Sequence, residues 1–224
     1  MNVLLIRPPH PYVHATSFGE RTFPIGMGFL ISYLRENGHQ VYFIDNYLSP
    51  QEIESDFLKR HSIDLVGVYV CSITFPQAVR ILNKIQVRRE KRIWNGRIVV
   101  GGPHTSIAPA SLPEYVDHVV IGEGERALLD ILEMRCQDRI VRYPRIEDLD
   151  ELPFPAYDVL LKMPYNTRFA MMDAYVMANV NTSRGCPYKC RFCSVERIWG
   201  RQYTCFSAER VVDDVERLSL FSAL

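Results

Sequence analysis

Three cysteines crowd into eight positions of the run Ser183-Arg-Gly-Cys-Pro-Tyr-Lys-Cys-Arg-Phe-Cys193: Cys186, Cys190 and Cys193. The C-x3-C-x2-C spacing puts three thiolates in one short loop, enough to hold three irons of a cubane cluster. The fourth iron is then left open to a substrate or cofactor. Structural zinc and iron–sulfur sites normally close themselves with four protein ligands. Three donors without an obvious fourth therefore point to chemistry at the metal. Gly185 and Pro187 help the chain turn tightly enough to aim three sulfurs at one centre, and Arg184, Lys189 and Arg191 bring positive charge that favours thiolate over thiol. One competing reading stands beside this. Cys205, separated from Cys193 by eleven residues, could complete a four-cysteine zinc or closed iron–sulfur site, although zinc sites usually come as paired C-x2-C hooks.

Composition narrows the setting. With 224 residues, 47% hydrophobic and 23% charged, the chain suits one well-buried domain and part of a second, not a disordered segment. Lys+Arg and Asp+Glu both number 26, so the balance of charge favours neither nucleic acid nor an anionic membrane. No apolar run approaches the ~18 residues that span a bilayer. The opening Met1-Asn-Val-Leu-Leu-Ile6 lacks a basic stretch and stops at Arg7-Pro-Pro9, unlike a secretion signal. Crowded cysteines without such a signal read as a metal site in a reducing cytoplasm.

The elements that must position this chemistry alternate. Val3–Ile6 reads as a buried first strand, Pro24–Leu34 as a helix stopped by Asn37-Gly38, and Gln40–Ile44 as a second strand. A helix is expected from about Pro50 to Lys59. Asp64–Cys71 is a nearly continuous β-branched run, as a central parallel strand covered on both faces requires. Phe75–Val87 follows as a helix, Arg97–Val100 and His118–Ile121 as strands four and five, and Arg126–Met134 as a helix. Strands alternating with helices imply right-handed crossovers and an α/β fold with a doubly wound parallel sheet.

Ligands in such sheets bind beyond the carboxyl ends of the strands, near the switch in strand order. Neither G-x-G-x-x-G nor G-x-x-x-x-G-K-[ST] is present: Gly26-x-Gly28 lies inside a helix and lacks the third glycine. The strand ends carry Ser72-Ile-Thr74, Gly101-Gly-Pro-His104 and Gly122-Glu-Gly-Glu125 instead. Each has an ordinary use as well: a turn at positive φ for the glycines, capping for Ser72 and Thr74, and a helix-dipole partner for Glu123 and Glu125.

Taken in order, these pieces resemble the cobalamin-binding domain that precedes the radical S-adenosylmethionine (SAM) barrel in many enzymes, and the cysteine loop resembles the cluster loop of that barrel. The resemblance covers Pro8-Pro9, Pro24-Ile-Gly26, Asn37-Gly-His39, Asp45, Asp64-Leu-Val-Gly67, Gly101-Gly-Pro-His104 and Gly122-Glu-Gly-Glu125. It implies a flavodoxin- or Rossmann-like domain that holds cobalamin across Ser72, Thr74, Gly101, Gly102, Pro103, His104, Gly122, Glu123, Gly124 and Glu125. Ser72 and Thr74 would then hydrogen-bond a phosphate or ribose of the nucleotide tail. The resemblance also implies a [4Fe-4S] cluster on Cys186, Cys190 and Cys193, with Phe192 beside the SAM adenine. The lower-histidine motif D-x-H-x-x-G is absent after the first strand. His10 and His14 lie in that loop without the spacing, so cobalamin with its tail base displaced and no histidine on cobalt is expected, with His104 on the pocket wall. The resemblance further implies reductive SAM cleavage, methyl transfer or a related radical reaction on an unknown substrate, and an external electron donor such as flavodoxin or ferredoxin.

The expected layout is a cobalamin-binding domain over residues 1–136, a linker over 137–174 and the start of a radical SAM domain over 175–224. Pro153 and Pro155 forbid a continuous helix, so the bridge is expected to be extended. Tyr175–Val180 reads as the first barrel strand, delivering Arg184-Gly185 and the cluster loop at its carboxyl end. Ser207 is expected to cap a helix through Leu218, with Val211, Val212, Val215 and Leu218 on one stripe. A full (βα)8 barrel takes ~200 residues or more, far beyond the 50 from Tyr175 to Leu224; a barrel cut short after its first βα unit is the expectation. A cobalamin-binding module without activity of its own, and a zinc-stabilised α/β protein, are the alternatives.

Overall fold

Short apolar runs that end in charge or glycine become the strands of a single parallel sheet. The computed structural model describes every residue except 12–23, 48–54, 164, 166–167, 170–171, 177–178 and 223–224. Among the described residues the first half carries β1 (Asn2–Arg7), α1 (Ile25–Glu36), β2 (Gln40–Asp45), α2 (Ser55–Arg60), β3 (Leu65–Tyr69), α3 (Phe75–Glu90), β4 (Arg97–Gly101), α4 (Pro103–Ile107), β5 (His118–Ile121), α5 (Glu125–Leu132) and β6 (Ile140–Arg142). Residues 50–54 of the expected second helix lie outside the described residues. The strands pair in the order β2-β1-β3-β4-β5-β6, all parallel. The α/β doubly wound reading therefore holds, with the order reversing between β1 and β3.

β6 is a strand that the sequence reading assigns to the linker. Only Val141 of its three residues is buried, between exposed Ile140 and Arg142. Three residues with one inward position leave no periodicity to detect. The sheet is thus one strand wider than expected.

By packing, Met1–Pro11 and Asn37–Arg145 form one compact unit, and Tyr12–Glu36 with Ile146–Leu224 form another. The division between these units falls at Arg145/Ile146, and α1 belongs to the second unit. In the first unit Leu4, Ile6, Val66, Val68, Ile98 and Val100 make the sheet core with Ala78, Leu82 and Ile85 of α3. Each of the fully buried valine, leucine and isoleucine side chains contributes about 1.5–3 kcal/mol. Asp117, before β5, accepts from Ile98 N–H at 2.7 Å and from Arg89 Nη1 at 2.6 Å. It thereby ties the end of α3 to the start of β4. Trp94 donates Nε1–H to Ile63 O at 2.5 Å and packs against Gly96, where any Cβ would strike the indole.

The second unit holds α6 (Tyr157–Leu160), β7 (Arg168–Phe169), β8 (Met172–Val176), β9 (Ser183–Gly185), α7 (Val195–Trp199), β10 (Tyr203–Cys205) and α8 (Ala208–Ser222). The bridge expected to be extended is compact here. Ile146, Leu149 and Leu152 are buried with Phe29 of α1 and Phe206 before α8, and the Phe29 and Phe206 rings stack at 5.8 Å. Pro153 and Pro155 do break the helix, but apolar residues on either side give the segment a core to join. Gly28 makes this possible: a Cβ there would lie 2.8 Å from Leu160 and 3.0 Å from Pro155, and Ala156 N–H donates to Gly28 O at 3.1 Å.

The strand expected at Tyr175–Val180 differs as well. β8 ends at Val176 and pairs antiparallel with β7. Residues 177–178 lie outside the described residues, and Asn179-Val180 is not strand. The strand that enters the cysteine loop is β9, paired antiparallel with β10. No local pattern announces the antiparallel pairing of β8 with Arg168–Phe169, because the partner is chosen by tertiary packing and not by β propensity.

Candidate cofactor-binding site

Because all the strands of the main sheet run parallel, the segments after β3, β4 and β5 emerge at one edge. Val70 N–H donates to Gly101 O at 2.8 Å, and His104 N–H returns a bond to Val70 O at 3.0 Å. Thr105 Oγ1 donates to Val120 O at 2.7 Å, and Ser106 Oγ accepts from Gly122 N–H at 3.0 Å. Three strand ends are stitched into one rim. The sequence reading missed Thr105 and Ser106; one turn of helix after Gly-Gly-Pro is too short to reveal which hydroxyls turn inward.

The rim carries most of the residues expected for cobalamin, with differing employment. Gly102 has φ +120°, and a Cβ there would stand 2.6 Å from Val70 O and 3.1 Å from the Tyr69 ring. Only glycine fits. Gly101 has ordinary φ and a Cβ there would meet only Val120 at 3.8 Å, so the backbone is approachable from outside. Pro103 opens α4 at a position where its missing N–H costs nothing. Gly122 also takes positive φ, +83°, while Gly124 sits before α5 in ordinary helical geometry. Glu123 and Glu125 are buried, withdrawn from the surface. Thr74 is buried too, and its hydroxyl is engaged with Cys71, to whose carbonyl it donates at 3.3 Å. Thr74 closes the turn after β3, whereas Ser72 is exposed on the rim between Ile73 (48% exposed) and His104.

His104 is held on three sides. Ser72 Oγ lies 3.0 Å from Nδ1, Ser111 Oγ 2.9 Å from Nε2, and the Phe75 ring stacks at 4.3 Å. Burial pushes its pKa below the ordinary 6.5, so the ring is neutral at pH 7. At the ends of β1 and β2, Arg7 pairs with Asp45 at 3.2 Å and lies 4.0 Å over the Tyr47 ring, which meets His10 at 5.4 Å. This cluster braces Pro8–Pro11 beside the rim. His14 lies outside the described residues.

In the second unit, Cys186 is half-buried and Cys190 and Cys193 are exposed, all three as free thiols. Cys193 N–H donates to Cys190 O at 3.1 Å, closing a turn, and Gly185 enters the loop at φ +87°. Among the described residues no three His, Cys, Asp or Glu side chains stand ready-grouped around a point; the loop offers the donors, and an inorganic core would gather them. The donor set, three thiols within eight residues, fits an iron–sulfur cluster. Cys205 does not join them. In the β9–β10 ladder Gly185 faces Tyr203 and Cys205 faces Ser183. Cys205 thus lies at the end remote from the loop, about 10 Å along the ladder from Cys186 at ~3.4 Å per residue. Phe192 is 93% exposed at the loop tip. Arg184 is buried, its guanidinium 5.3 Å from the Phe29 ring and 5.7 Å from Trp199, so its charge is fixed behind the loop and not free in solvent.

On α8, Arg210 N–H donates to Ser207 Oγ at 3.1 Å, the expected cap. The inward stripe differs: Val212 and Val215 are 55% and 52% exposed, while Asp214 and Leu218 are buried. Positions 211, 214 and 218 share the inner face, and the sequence reading passed over 214 because it holds an acid. No described helix is long and apolar enough to cross a membrane.

Known proteins resemble this arrangement. The family model for the B12 binding domain matches residues 12–132. The chain is 28% identical, over 97% of its length and 50% of the relative's, to an uncharacterized methyltransferase of Pyrococcus horikoshii. It is 26% identical to the hopanoid C-3 methylase of Methylococcus capsulatus, over 94% of this chain and 43% of that protein. It is 29% identical to the anaerobic magnesium-protoporphyrin IX monomethyl ester cyclase of Rubrivivax gelatinosus, over 97% and 42%. The chain therefore spans about half or less of these relatives. Among solved structures, the cobalamin-dependent S-adenosylmethionine radical enzyme OxsB with aqua-cobalamin bound superposes with a TM-score of 0.74 at 22% identity, over 99% of this chain and 32% of that one. The radical S-adenosylmethionine methyltransferase TsrM of Kitasatospora setae gives 0.63 at 20%, over 98% and 45%. Both share the fold.

Proposed function

The chain belongs to the B12-binding domain family, and from that premise we propose that it binds cobalamin on the rim formed after β3, β4 and β5 and contributes to a radical SAM methyl-transfer enzyme. The observation that carries this reading is the presence, in one chain, of that rim and of three free thiols at C-x3-C-x2-C spacing in one loop. Gly101 lets the rim backbone come close to a broad flat ligand, Gly102 sets the turn that makes this possible, and Ile73 and Ile107 offer apolar contact. Ser72 adds a hydroxyl. Cys186, Cys190 and Cys193 would hold a [4Fe-4S] cluster and leave one iron for SAM, with Phe192 as the aromatic wall beside its adenine. Once both groups are bound, the chemistry available is one-electron cleavage of SAM and methyl transfer through cobalt. Arg184, fixed behind the loop, offsets the anionic charge of three thiolates. An external one-electron donor of the flavodoxin or ferredoxin type would supply the reductant.

The test is anaerobic titration with hydroxocobalamin, iron and sulfide, followed by absorption spectroscopy. Both corrin uptake and iron–sulfur absorption are expected. The Cys186→Ala/Cys190→Ala/Cys193→Ala variant should lose the iron–sulfur bands and keep the corrin. Absence of corrin uptake by the unaltered chain would refute the cobalamin assignment, and iron–sulfur bands surviving in the variant would refute the cysteine assignment.

A further inference from the structure

Ser72, His104 and Ser111 form a chain of hydrogen bonds whose polarity can be worked out from one end. Ser111 has a single hydroxyl proton, and its Oγ lies 2.7 Å from Ala108 O, a carbonyl that can only accept. That proton is therefore committed to Ala108. Ser111 Oγ is left as an acceptor toward His104 Nε2 at 2.9 Å, so Nε2 carries the hydrogen. A neutral imidazole has one N–H, which makes Nδ1 the acceptor. Ser72 Oγ, 3.0 Å from Nδ1, must then donate inward. Its lone pairs face out across the exposed rim.

We infer that His104 is a positioning residue that turns the Ser72 hydroxyl inward, so that Ser72 presents a lone pair to the bound ligand and takes an N–H or O–H donor from it. The inference rests on the cobalamin reading. It specifies the partner as a donor, such as a primary amide of the corrin periphery or a sugar hydroxyl, and not a phosphate oxygen. The sequence-level expectation of a tail phosphate or ribose at Ser72 is thereby narrowed.

A consequence follows for pH. The groups facing the His104 ring are Ser72 from the turn after β3, Phe75 from α3 and Ser111. Burial alone shifts its titration, with no charged side chain entering. When the imidazole takes a second proton, Nδ1 becomes a donor, Ser72 Oγ must accept from it, and the Ser72 proton swings outward. Ser72 then offers the ligand one lone pair beside an outward O–H, where before it offered two lone pairs. Affinity should fall, by at most about fivefold, the worth of one hydrogen bond.

The experiment uses the full chain in two measurements. Nitrogen-15 histidine NMR of the ligand-free protein at pH 7.5 should show His104 as the neutral Nε2–H tautomer; the Nδ1–H tautomer would overturn the inference whether or not a corrin binds. Hydroxocobalamin titrations of the unaltered chain, Ser72→Ala, His104→Phe and the double variant should give a non-additive cycle. Each single change should weaken binding about fivefold and the double change no further. The unaltered chain should lose affinity between pH 7.5 and pH 5 while Ser72→Ala stays flat. Additive losses, or an equal pH slope in Ser72→Ala, would reduce His104 to a packing role. No uptake by the unaltered chain, alongside the Nε2–H tautomer, would sink the cobalamin reading instead and leave the polarity of the chain standing.

Discussion

Tyr157 donates its phenolic hydrogen bond to Asp214 at 2.8 Å, joining α6 to the middle of α8 across 57 residues of chain. Both residues are buried. Burial, and then the Asp214 hydrogen bond, push the Tyr157 hydroxyl well above the ordinary tyrosine range. Arg210 and Arg217 approach the Phe154 ring to 3.5 and 3.9 Å in the same region. A buried acid, its donor and two stacked guanidiniums thus bind the proline-rich bridge to the last helix.

Removing the donor should be costly. Tyr157→Phe keeps the ring but deprives a buried carboxyl of that partner, at a cost of about 1–3 kcal/mol, read from urea denaturation at pH 7. Asp214→Asn should behave differently. Burial raises the Asp214 pKa above the ordinary 3.8, with Tyr157, Arg210 and Arg217 pulling it down. An acid with a raised folded-state value stabilises fully below 3.8 and loses that contribution as pH rises through its folded value. The asparagine of this variant would keep an acceptor for Tyr157 without that loss, so stability at pH 7 is expected to equal or exceed that of the unaltered chain, with the difference vanishing near pH 3.

The contact between α1 and the bridge depends on the absence of a side chain. Gly28→Ala should destabilise by about 1–3 kcal/mol through overpacking, because its Cβ would press on Leu160 and Pro155. Gly26→Ala, where a Cβ meets nothing within 4 Å, should stabilise slightly through helix propensity, by up to about 1 kcal/mol. Thermal melts of the two variants separate packing from propensity.

The two rim glycines should part company. Gly102→Ala forces a Cβ toward Val70 O at positive φ and should cost roughly 1–3 kcal/mol. Gly101→Ala is sterically permitted and should leave the melting temperature unchanged while weakening corrin uptake. A Gly101→Ala protein that takes up hydroxocobalamin as well as the unaltered chain would show that ligand does not approach this backbone.

Cys205 should be dispensable for the metal. It stands at the far end of the β9–β10 ladder from the loop, so Cys205→Ala should reconstitute with the same iron content as the unaltered chain, measured after anaerobic loading. A drop to background would revive the four-cysteine site.

Acid should weaken the fold through two histidines. His39 is held below 6.5 by burial and then by the Met1 ammonium group, and His104 by burial. A histidine with a lowered folded-state value binds fewer protons folded than unfolded between that value and 6.5. Stability is therefore full above pH 6.5 and falls as pH drops from there through the folded values. Denaturation midpoints from pH 7.5 to pH 5 should show this slope, and His39→Asn should reduce it.

What the amino-acid sequence determined by itself was whatever repeats locally or is spaced within a few residues. The buried runs of β1, β3 and β4, the helix expected over Phe75–Val87, the rim glycines and the C-x3-C-x2-C loop all announce themselves within a window of about ten residues, the range over which periodicity and turn chemistry act. Tertiary structure alone decided the rest. It recruited Ile140–Arg142 as a sixth strand, folded the bridge onto α1, paired β8 with β7, and turned Asp214 inward while leaving Val212 and Val215 in solvent. It also gave Thr74 to a turn and Ser72 to the rim, though the two stand two residues apart. In each case the deciding partner lies far along the chain or depends on which way one side chain points, and the energy of burial or of a hydrogen bond is set by that partner and not by the residue's own type.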